Sequence, residues 1–475
     1  MRKPTILLIT ADELRRDVLG CYGGEVIRTP HLDALADSGT RFDRAYCASP
    51  WCLPSRCSIL TGLFPSGSGA YSNFRKKELS GGIPNLFNTL RENGYHTALS
   101  GKCHFAPVPY GQTRPEETQF YDDFRSYYLS LGIDDLFLQD GKEVSAWFMD
   151  DYAKELDAAG LLPTYRQTRW DRSNGKVYPF PLEEKWYPDI WSGRKMTEYI
   201  QSYDSDAPAM LWLSFSGPHY PFDAPEAYYD RVDMDALEKK GRTGCAEEFS
   251  DPDRIHYKSY HGGGNIDGCG PAPDHGCKNY SEEYWTRLRR SYYANVALID
   301  DVVGSVLSAA KEKWGEDLLV IFTADHGEML GNHTLWGKHN CAYEDVWHIP
   351  LLVRMPNGQD LGTEDVLVQL TDLFATCMKA AGIEGIHTDG CDLQELIRQG
   401  GHPYVFAEGE GYLAVGDGRY KYVHIHKPQE EYYELLDLKA DPGEFRNHLS
   451  SPEAFPALER LQRQAITHFM NKLLP

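Results

Sequence analysis

The segment Cys52-Leu53-Pro54-Ser55-Arg56-Cys57 sets a thiol two residues ahead of a proline and four ahead of an arginine. Proline suits the first turn of a helix, so Cys52 is expected at a helix N-terminus with Arg56 one turn along. A cysteine there, beside an arginine, lies in an anion-attracting field. For an isolated Cys-x-Pro-x-Arg, a buried thiol before an ordinary helix is an equally open reading, because free cysteine is commonly buried. Carboxylates gather at two further places. Asp12 follows the apolar run Thr5 to Thr10, and Asp325-His326-Gly327 follows the run Leu318 to Thr323. Hard oxygen ligands at strand ends are what a divalent cation needs to polarise an anionic ester. An α/β sheet builds its site at those ends. One aspartate after a strand is more often a cap; a pair at matching strand ends shifts that balance.

Cations are placed in a similar way. Gly101-Lys102-Cys103-His104 follows the apolar run Tyr95 to Ser100. Gly217-Pro218-His219-Tyr220-Pro221-Phe222 follows Met210 to Ser216, and Gly337-Lys338 lies shortly after Asp325. Taken singly, Lys338 reads as a surface lysine and His104 or His219 as a satisfied structural histidine. Over the whole chain, 48 basic against 70 acidic residues leave a formal charge of −22 across 475 residues. That balance repels nucleic acid and anionic lipid, so an anionic substrate must meet a local basic pocket. With 41% hydrophobic and 25% charged residues the chain can bury a sizeable core, which argues against disorder.

The apolar run at Thr5 to Thr10 is too short for a secretory core, and no stretch is read as the roughly 18–20 apolar residues of a membrane span. A cytoplasmic protein without nucleic-acid or membrane partners is therefore expected. Eleven cysteines, an odd number, suit reduced thiols better than a disulfide framework. Cys269, His275 and Cys277 invite a zinc reading, but their spacing matches no usual structural site. Trp51, Tyr71, Tyr110 and Tyr220 lie near these segments and could stack on a sugar ring, although aromatics in a chain this rich in them are more often core.

The elements that must hold these residues read as an α/β fold: a large, mainly parallel sheet sandwiched by helices. Its strand candidates are Thr5 to Thr10, Tyr95 to Ser100, Met210 to Ser216, Leu318 to Thr323 and Leu351 to Met355. Pro30 to Ser38 reads as a helix, with Pro near its start and Gly39 past its end. Tyr284, Leu288, Val296, Ile299 and Val303 form a longer helical stripe. After the helical stretch Asp372 to Ala381 come the short strands Tyr412 to Val415, Tyr420 to Ile425 and Tyr432 to Leu436, with Asp417-Gly418 as a hairpin turn. Pro452 to Leu474 closes the chain as a helix. This divides it into a catalytic α/β domain, residues 1–380, and a C-terminal antiparallel subdomain, residues 381–475. Residues 240–280 read as an irregular surface insertion.

Cys52-x-Pro54-Ser55-Arg56, followed after four residues by Thr61-Gly62, resembles the signature of the type I sulfatases. The resemblance extends to Thr29-Pro30-His31-Leu32-Asp33, Gly39-Thr40-Arg41-Phe42, the Gly-Lys-x-His element at 101–104 and the Pro-His-x-Pro-Phe element at 218–222. It covers nearly the whole chain, with residues 110–200 and 240–280 matching least. It implies the fold of the alkaline phosphatase superfamily and the hydrolysis of sulfate monoesters. Cys52 would be oxidised to formylglycine by a formylglycine-generating (sulfatase-maturating) enzyme, and the hydrated aldehyde would be the nucleophile.

The resemblance implies that Asp12, Asp325, His326 and the modified Cys52 hold one divalent cation, Ca²⁺ ahead of Mn²⁺ or Mg²⁺. By the same resemblance Arg56, Lys102 and Lys338 stabilise the sulfuryl oxygens and Asp325 serves as base. His219 protonates the leaving alkoxide, and His104 takes the proton of the second hydroxyl. Glu13 departs from the pattern, because many sulfatases have a second aspartate there; it could reach the metal or point away. A small sulfated sugar, an N-acetylhexosamine or a glycosaminoglycan-derived disaccharide, is the expected substrate. The lone Asp12 also suggests a phosphonate monoester or phosphodiester hydrolase, and an unmodified Cys52 would leave a non-catalytic anion-binding protein.

Overall fold

The computed structural model describes residues 3–73, 79, 82–107, 119–170, 177–244, 280–338, 342–358, 362–427 and 430–472, with 248, 250, 252, 254, 257 and 261 between them. The apolar runs that suggested strands do form them. They are β1 (Thr5–Asp12), β3 (His96–Gly101), β7 (Ala209–Pro218), β8 (Leu318–Ala324) and β9 (His348–Arg354). β1, β7 and β8 are buried along their entire length, as expected of strands covered on both faces. Three strands join them: β2 (Thr40–Tyr46), β5 (Asp135–Leu138) and β10 (Gly362–Gln369). Two-residue strands β4 (Gln119–Phe120) and β6 (Phe148–Met149) pair separately.

The large sheet runs in the order β10-β2-β9-β8-β1-β7-β3-β5. All its strands point the same way except β9, which is antiparallel to both β8 and β2. The sequence reading placed Leu351 to Met355 in the sheet but could not give that reversal. The chain leaves β8 at Ala324 and stays at that end of the sheet through the helix Glu344–Trp347. It then has no crossover helix, so it re-enters the sheet running back.

Two groups of helices cover the sheet. Glu282–Trp314, Pro188–Ser202 and Pro30–Asp37 pack together, while Cys52–Thr61, Leu86–Glu92 and Asp372–Ala380 form the other group. Glu282–Trp314 is long and apolar enough to cross a bilayer by length and composition. This corrects the expectation that no stretch comes near that threshold. Trp285, Leu288, Tyr292, Val296, Ile299 and Val303 are buried in the core, so its apolar character is spent on packing.

The second sheet is a meander of β11 (Val405–Gly409), β12 (Tyr412–Gly416), β13 (Tyr420–Lys427) and β14 (Glu430–Asp437), each antiparallel to the next. Asp417-Gly418 makes the turn between β12 and β13, with Gly418 at φ +86°. The helix Phe455–Asn471 lies on β12 and β13 and buries Leu461 and Ala465 against Leu413, Val415, Tyr422 and Leu435. Cys269, His275, Cys277 and Tyr110, and much of the expected insertion, lie outside the described residues.

Candidate active site

Four adjacent parallel strands, β3, β7, β1 and β8, deliver the site from their C-terminal ends. Asp12 closes β1, Lys102 follows β3, His219 follows β7 and Asp325-His326 follows β8. Neighbouring strands lie about 4.8 Å apart, so residues distant in sequence converge without long loops. Opposite them stands Cys52, the first residue of the helix Cys52–Thr61, whose ten residues are all buried. Gly62 ends that helix at φ +69°. Asn73 Oδ1 accepts the Leu53 N–H at 3.0 Å and so satisfies one free donor of the first turn.

The thiol of Cys52 lies 3.2 Å from His326 Nε2 and 3.5 Å from Asp12 Oδ1. His326 Nδ1 lies 2.9 Å from the carbonyl of Gly327. Nδ1–H therefore donates there and the Nε2 lone pair faces Cys52, Asp12 and Asp325. Donor atoms of Asp12, Cys52, Asp325 and His326 all lie within 4.8 Å of one another. Two carboxylates, a sulfur that modification would turn to oxygen, and an imidazole lone pair converge on one point, a donor set that fits a divalent cation.

Cations hold the carboxylates from behind. Arg56 is fully buried and donates through Nε to Asp325 Oδ2 at 2.8 Å. Its Nη1 donates to Ser214 Oγ at 2.6 Å and to the Lys102 carbonyl at 3.1 Å. Lys102 Nζ pairs with Asp12 Oδ2. Burial would raise the Asp12 carboxyl, but the Lys102, Arg56 and Lys338 charges hold it well below the usual carboxylate range. Cys52 behaves the opposite way. Burial, reinforced by the Asp12 charge, pushes its thiol up to about 12. The helix N-terminus and Arg56 were expected to make an anion-attracting field here. Desolvation outweighs them, and the guanidinium is already committed to Asp325. An unmodified Cys52 is a neutral thiol at physiological pH.

His219 and Lys338 form a second cluster with Glu13. Lys338 Nζ lies 3.0 Å from His219 Nε2, and His219 Nδ1 lies 2.7 Å from the carbonyl of Tyr220. Nδ1–H thus donates to Tyr220, leaving Nε2 to accept from Lys338. Burial and the Lys338 charge hold His219 well below the ordinary histidine value, so the imidazole is neutral. Lys338, 1% exposed, is no surface lysine. Glu13 sits at φ +66°, and its oxygens lie 3.5 Å from Lys338 Nζ and from His219 Nε2. It turns away from the Asp12 cluster, and burial keeps its carboxyl well above the usual range. Its backbone N–H still serves the site, donating to Asp325 Oδ1 at 3.0 Å. His104, at φ +48°, is buried with neither ring nitrogen hydrogen-bonded. Burial, with Lys102 and Arg56 nearby, holds it well below the ordinary value.

All nine residues singled out in the sequence thus lie in this region of buried contacts. Of the aromatics proposed beside them, Tyr220 packs on His219 with ring centroids 4.0 Å apart and meets Trp336 edge-on, while Trp51 is buried and Tyr71 half-buried. Three supporting residues were not foreseen. Ser214 accepts from Arg56, and its carbonyl accepts the Lys102 N–H at 2.8 Å. Asp140 Oδ1 accepts the N–H groups of Cys103 and His104 at 2.9 and 2.8 Å and so shapes the loop carrying Lys102 and His104. Glu328 completes the run Asp325-His326-Gly327-Glu328 and accepts the Leu330 N–H at 3.0 Å. Only Glu328 left a sequence signal, an acid two residues past a ligand pair.

Comparison with known proteins gives the family. The sulfatase family model matches residues 4–383, and the model described as N-sulphoglucosamine sulphohydrolase, C-terminal, matches residues 331–471. The chain is 28% identical to a choline-sulfatase of Rhizobium meliloti (strain 1021) over 469 residues, covering 95% of this chain and 83% of that protein. It is 26% identical to an arylsulfatase of Clostridium perfringens (strain 13 / Type A), covering 97% and 93%. Among solved structures, a phosphonate monoester hydrolase of Silicibacter pomeroyi superposes with a TM-score of 0.77 at 22% identity, covering 98% and 95%. A protein solved with its substrate D-glucosamine-2-N,6-O-disulfate superposes with a TM-score of 0.70 at 18% identity, covering 98% and 97%. The match over most of its length makes this chain a member of the sulfatase family within the alkaline phosphatase superfamily, a sulfuric ester hydrolase.

Proposed function

We propose that the protein removes sulfate from a small sulfated sugar, an N-acetylhexosamine or a glycosaminoglycan-derived disaccharide, using a formylglycine made from Cys52. The observation that carries this reading is the position of residue 52. It shares a donor cluster with Asp12, Asp325 and His326, yet its unmodified thiol is held neutral. Conversion to formylglycine supplies a hydrated aldehyde, one hydroxyl being the nucleophile and the other expelling sulfate afterwards. A divalent cation, Ca²⁺ ahead of Mn²⁺ or Mg²⁺, supplies charge that polarises a sulfate oxygen, and Asp12, Asp325, His326 and residue 52 would hold it.

The chain's own residues do the rest. Lys102 and Lys338 bring positive charge to the ester oxygens in a water-poor pocket, where such stabilisation is strongest; Arg56 fixes Asp325 and adds to that field. Asp325 takes the nucleophile's proton. His219 Nε2 takes a proton from the Lys338 ammonium and passes it to the departing alkoxide, which an unactivated sugar alcohol requires. Asp325 then releases the nucleophile's proton to solvent, from which Lys338 regains its own. His104, neutral and with both nitrogens unengaged, accepts the proton of the second hydroxyl. The sugar reading is supported by the fold shared with the protein solved on D-glucosamine-2-N,6-O-disulfate and by Tyr220, which packs on His219. A cytoplasmic setting is proposed too, supported by the free thiols among the described cysteines.

Mass spectrometry of the residue 52 peptide from the native host, with sulfate release by wild type and Cys52→Ala, tests the reading. Aldehyde at residue 52 and loss of turnover in the variant are expected. Near wild-type turnover by Cys52→Ala would remove it. Glu13 lying outside the donor cluster favours a second reading, a phosphonate monoester hydrolase. Rates on a sulfate and a phosphonate monoester of the same aryl alcohol separate the two.

A further inference from the structure

A second group of metal-binding side chains lies on the meander, sharing no residue with the Asp12 cluster. His424 and His426 are two apart on β13, so both side chains emerge on the same face. On β14, Glu431 is directly opposite His426 in the antiparallel register. His424 Nε2 lies 3.0 Å and His426 Nδ1 3.4 Å from one oxygen of Glu431, and the three donor atoms lie within 4.8 Å of one another. A tetrahedral zinc ion with bonds of about 2.0–2.1 Å has ligand atoms about 3.3–3.4 Å apart. His426 is therefore already at the edge length of such a polyhedron from the shared carboxylate oxygen, and His424 lies about 0.3–0.4 Å inside it.

The surroundings restrain two of the three donors. The His424 ring stacks on Tyr433 with centroids 4.4 Å apart. Hydrogen bonding from Tyr433, with His424, holds the Glu431 carboxyl below the usual carboxylate range. All three are partly or fully exposed, so an ion can enter without opening the fold.

We propose that His424, His426 and Glu431 form a surface site for one borderline divalent transition metal, Zn²⁺ being the probe of choice, which cross-links β13 to β14. Two imidazoles and one carboxylate select such ions over Ca²⁺ or Mg²⁺, which take oxygen ligands. Three protein ligands leave a fourth position to water.

The test is equilibrium dialysis of Zn²⁺ against the full chain in excess Ca²⁺. Wild type, His424→Ala/His426→Ala, Glu431→Gln and Asp12→Ala are compared. The double variant is expected to take up one equivalent fewer than wild type, and Glu431→Gln to bind that equivalent at least about tenfold more weakly. Asp12→Ala should retain it, which separates the surface ion from any held at residue 52. Equal uptake and affinity in wild type and the double variant would overturn the site, as would loss of that equivalent in Asp12→Ala. An unchanged affinity in Glu431→Gln would overturn the three-ligand assignment.

Discussion

At the scale of single residues, the site depends on a few buried charges that cannot be removed one at a time. Arg56 and Asp325 are both fully buried and 2.8 Å apart. Replacing Arg56 with Met leaves an uncompensated carboxylate, and breaking a buried pair in this way typically costs about 3–5 kcal/mol. Urea denaturation in the presence of a chelator should show a loss of that order; a loss near zero would mean that Asp325 is otherwise satisfied. His219 separates binding from leaving-group chemistry. In His219→Ala, kcat/KM for a sugar sulfate should fall by about 100-fold or more. A nitrophenyl sulfate, whose alcohol departs without a proton, should lose far less. Equal losses on both substrates would leave His219 as a binding residue. Asp12, Cys52, Arg56, Lys102, Asp325 and His326 were legible in the sequence because motif spacing carries chemistry directly. Glu13, Ser214 and Asp140 act through side-chain direction or contacts across the sheet, and no local pattern encodes those. The state of the thiol was not legible, since a sequence displays Arg56 beside Cys52 but not the burial that outweighs it.

Elements decide how accurately those charges are placed, and one glycine shows how little slack there is. Gly101 ends β3 at φ +105°, and a Cβ there would lie 1.9 Å from the Ser214 carbonyl oxygen. That oxygen accepts the Lys102 N–H, while the Ser214 hydroxyl holds Arg56. Gly101→Ala should therefore disturb two cations at once. Overpacking alone costs roughly 1–3 kcal/mol. A lowered thermal midpoint accompanied by a fall in turnover is expected, and wild-type values for both would show that the strand end can relax. Central strands were legible because burial on both faces writes a continuous apolar run. β2 and β10 were not, because Arg41, Asp43 and Arg44 interrupt one and the first half of the other is exposed or half-buried. The reversal of β9 depends on how the chain re-enters the sheet, which side-chain periodicity does not record.

The molecule as a whole responds to pH through a buried carboxyl that touches none of the proposed catalytic residues. Asp150 is buried, accepting from Ser145 Oγ and from the N–H groups of Ala153 and Asp140 at 2.7, 2.8 and 3.0 Å. Burial nevertheless pushes its carboxyl up to about 7. Because the folded value lies above the unfolded one, near 3.8, the folded state holds the extra proton. Stability then falls as pH rises between those two values. Relative to Asp150→Asn, wild type should lose urea resistance steadily from about pH 4 to pH 7. Parallel profiles for the two proteins would mean that Asp150 ionises alike in both states. Burial also governs residue 52, which is 1% exposed inside a fully buried helix. Under the proposed maturation, an external enzyme can reach this side chain only before the chain closes over it. Maturation and folding are then competitors in time, and a molecule that folds first keeps its thiol for life. Slowing synthesis or folding should raise the matured fraction, so specific activity would record the history of each molecule as well as its structure.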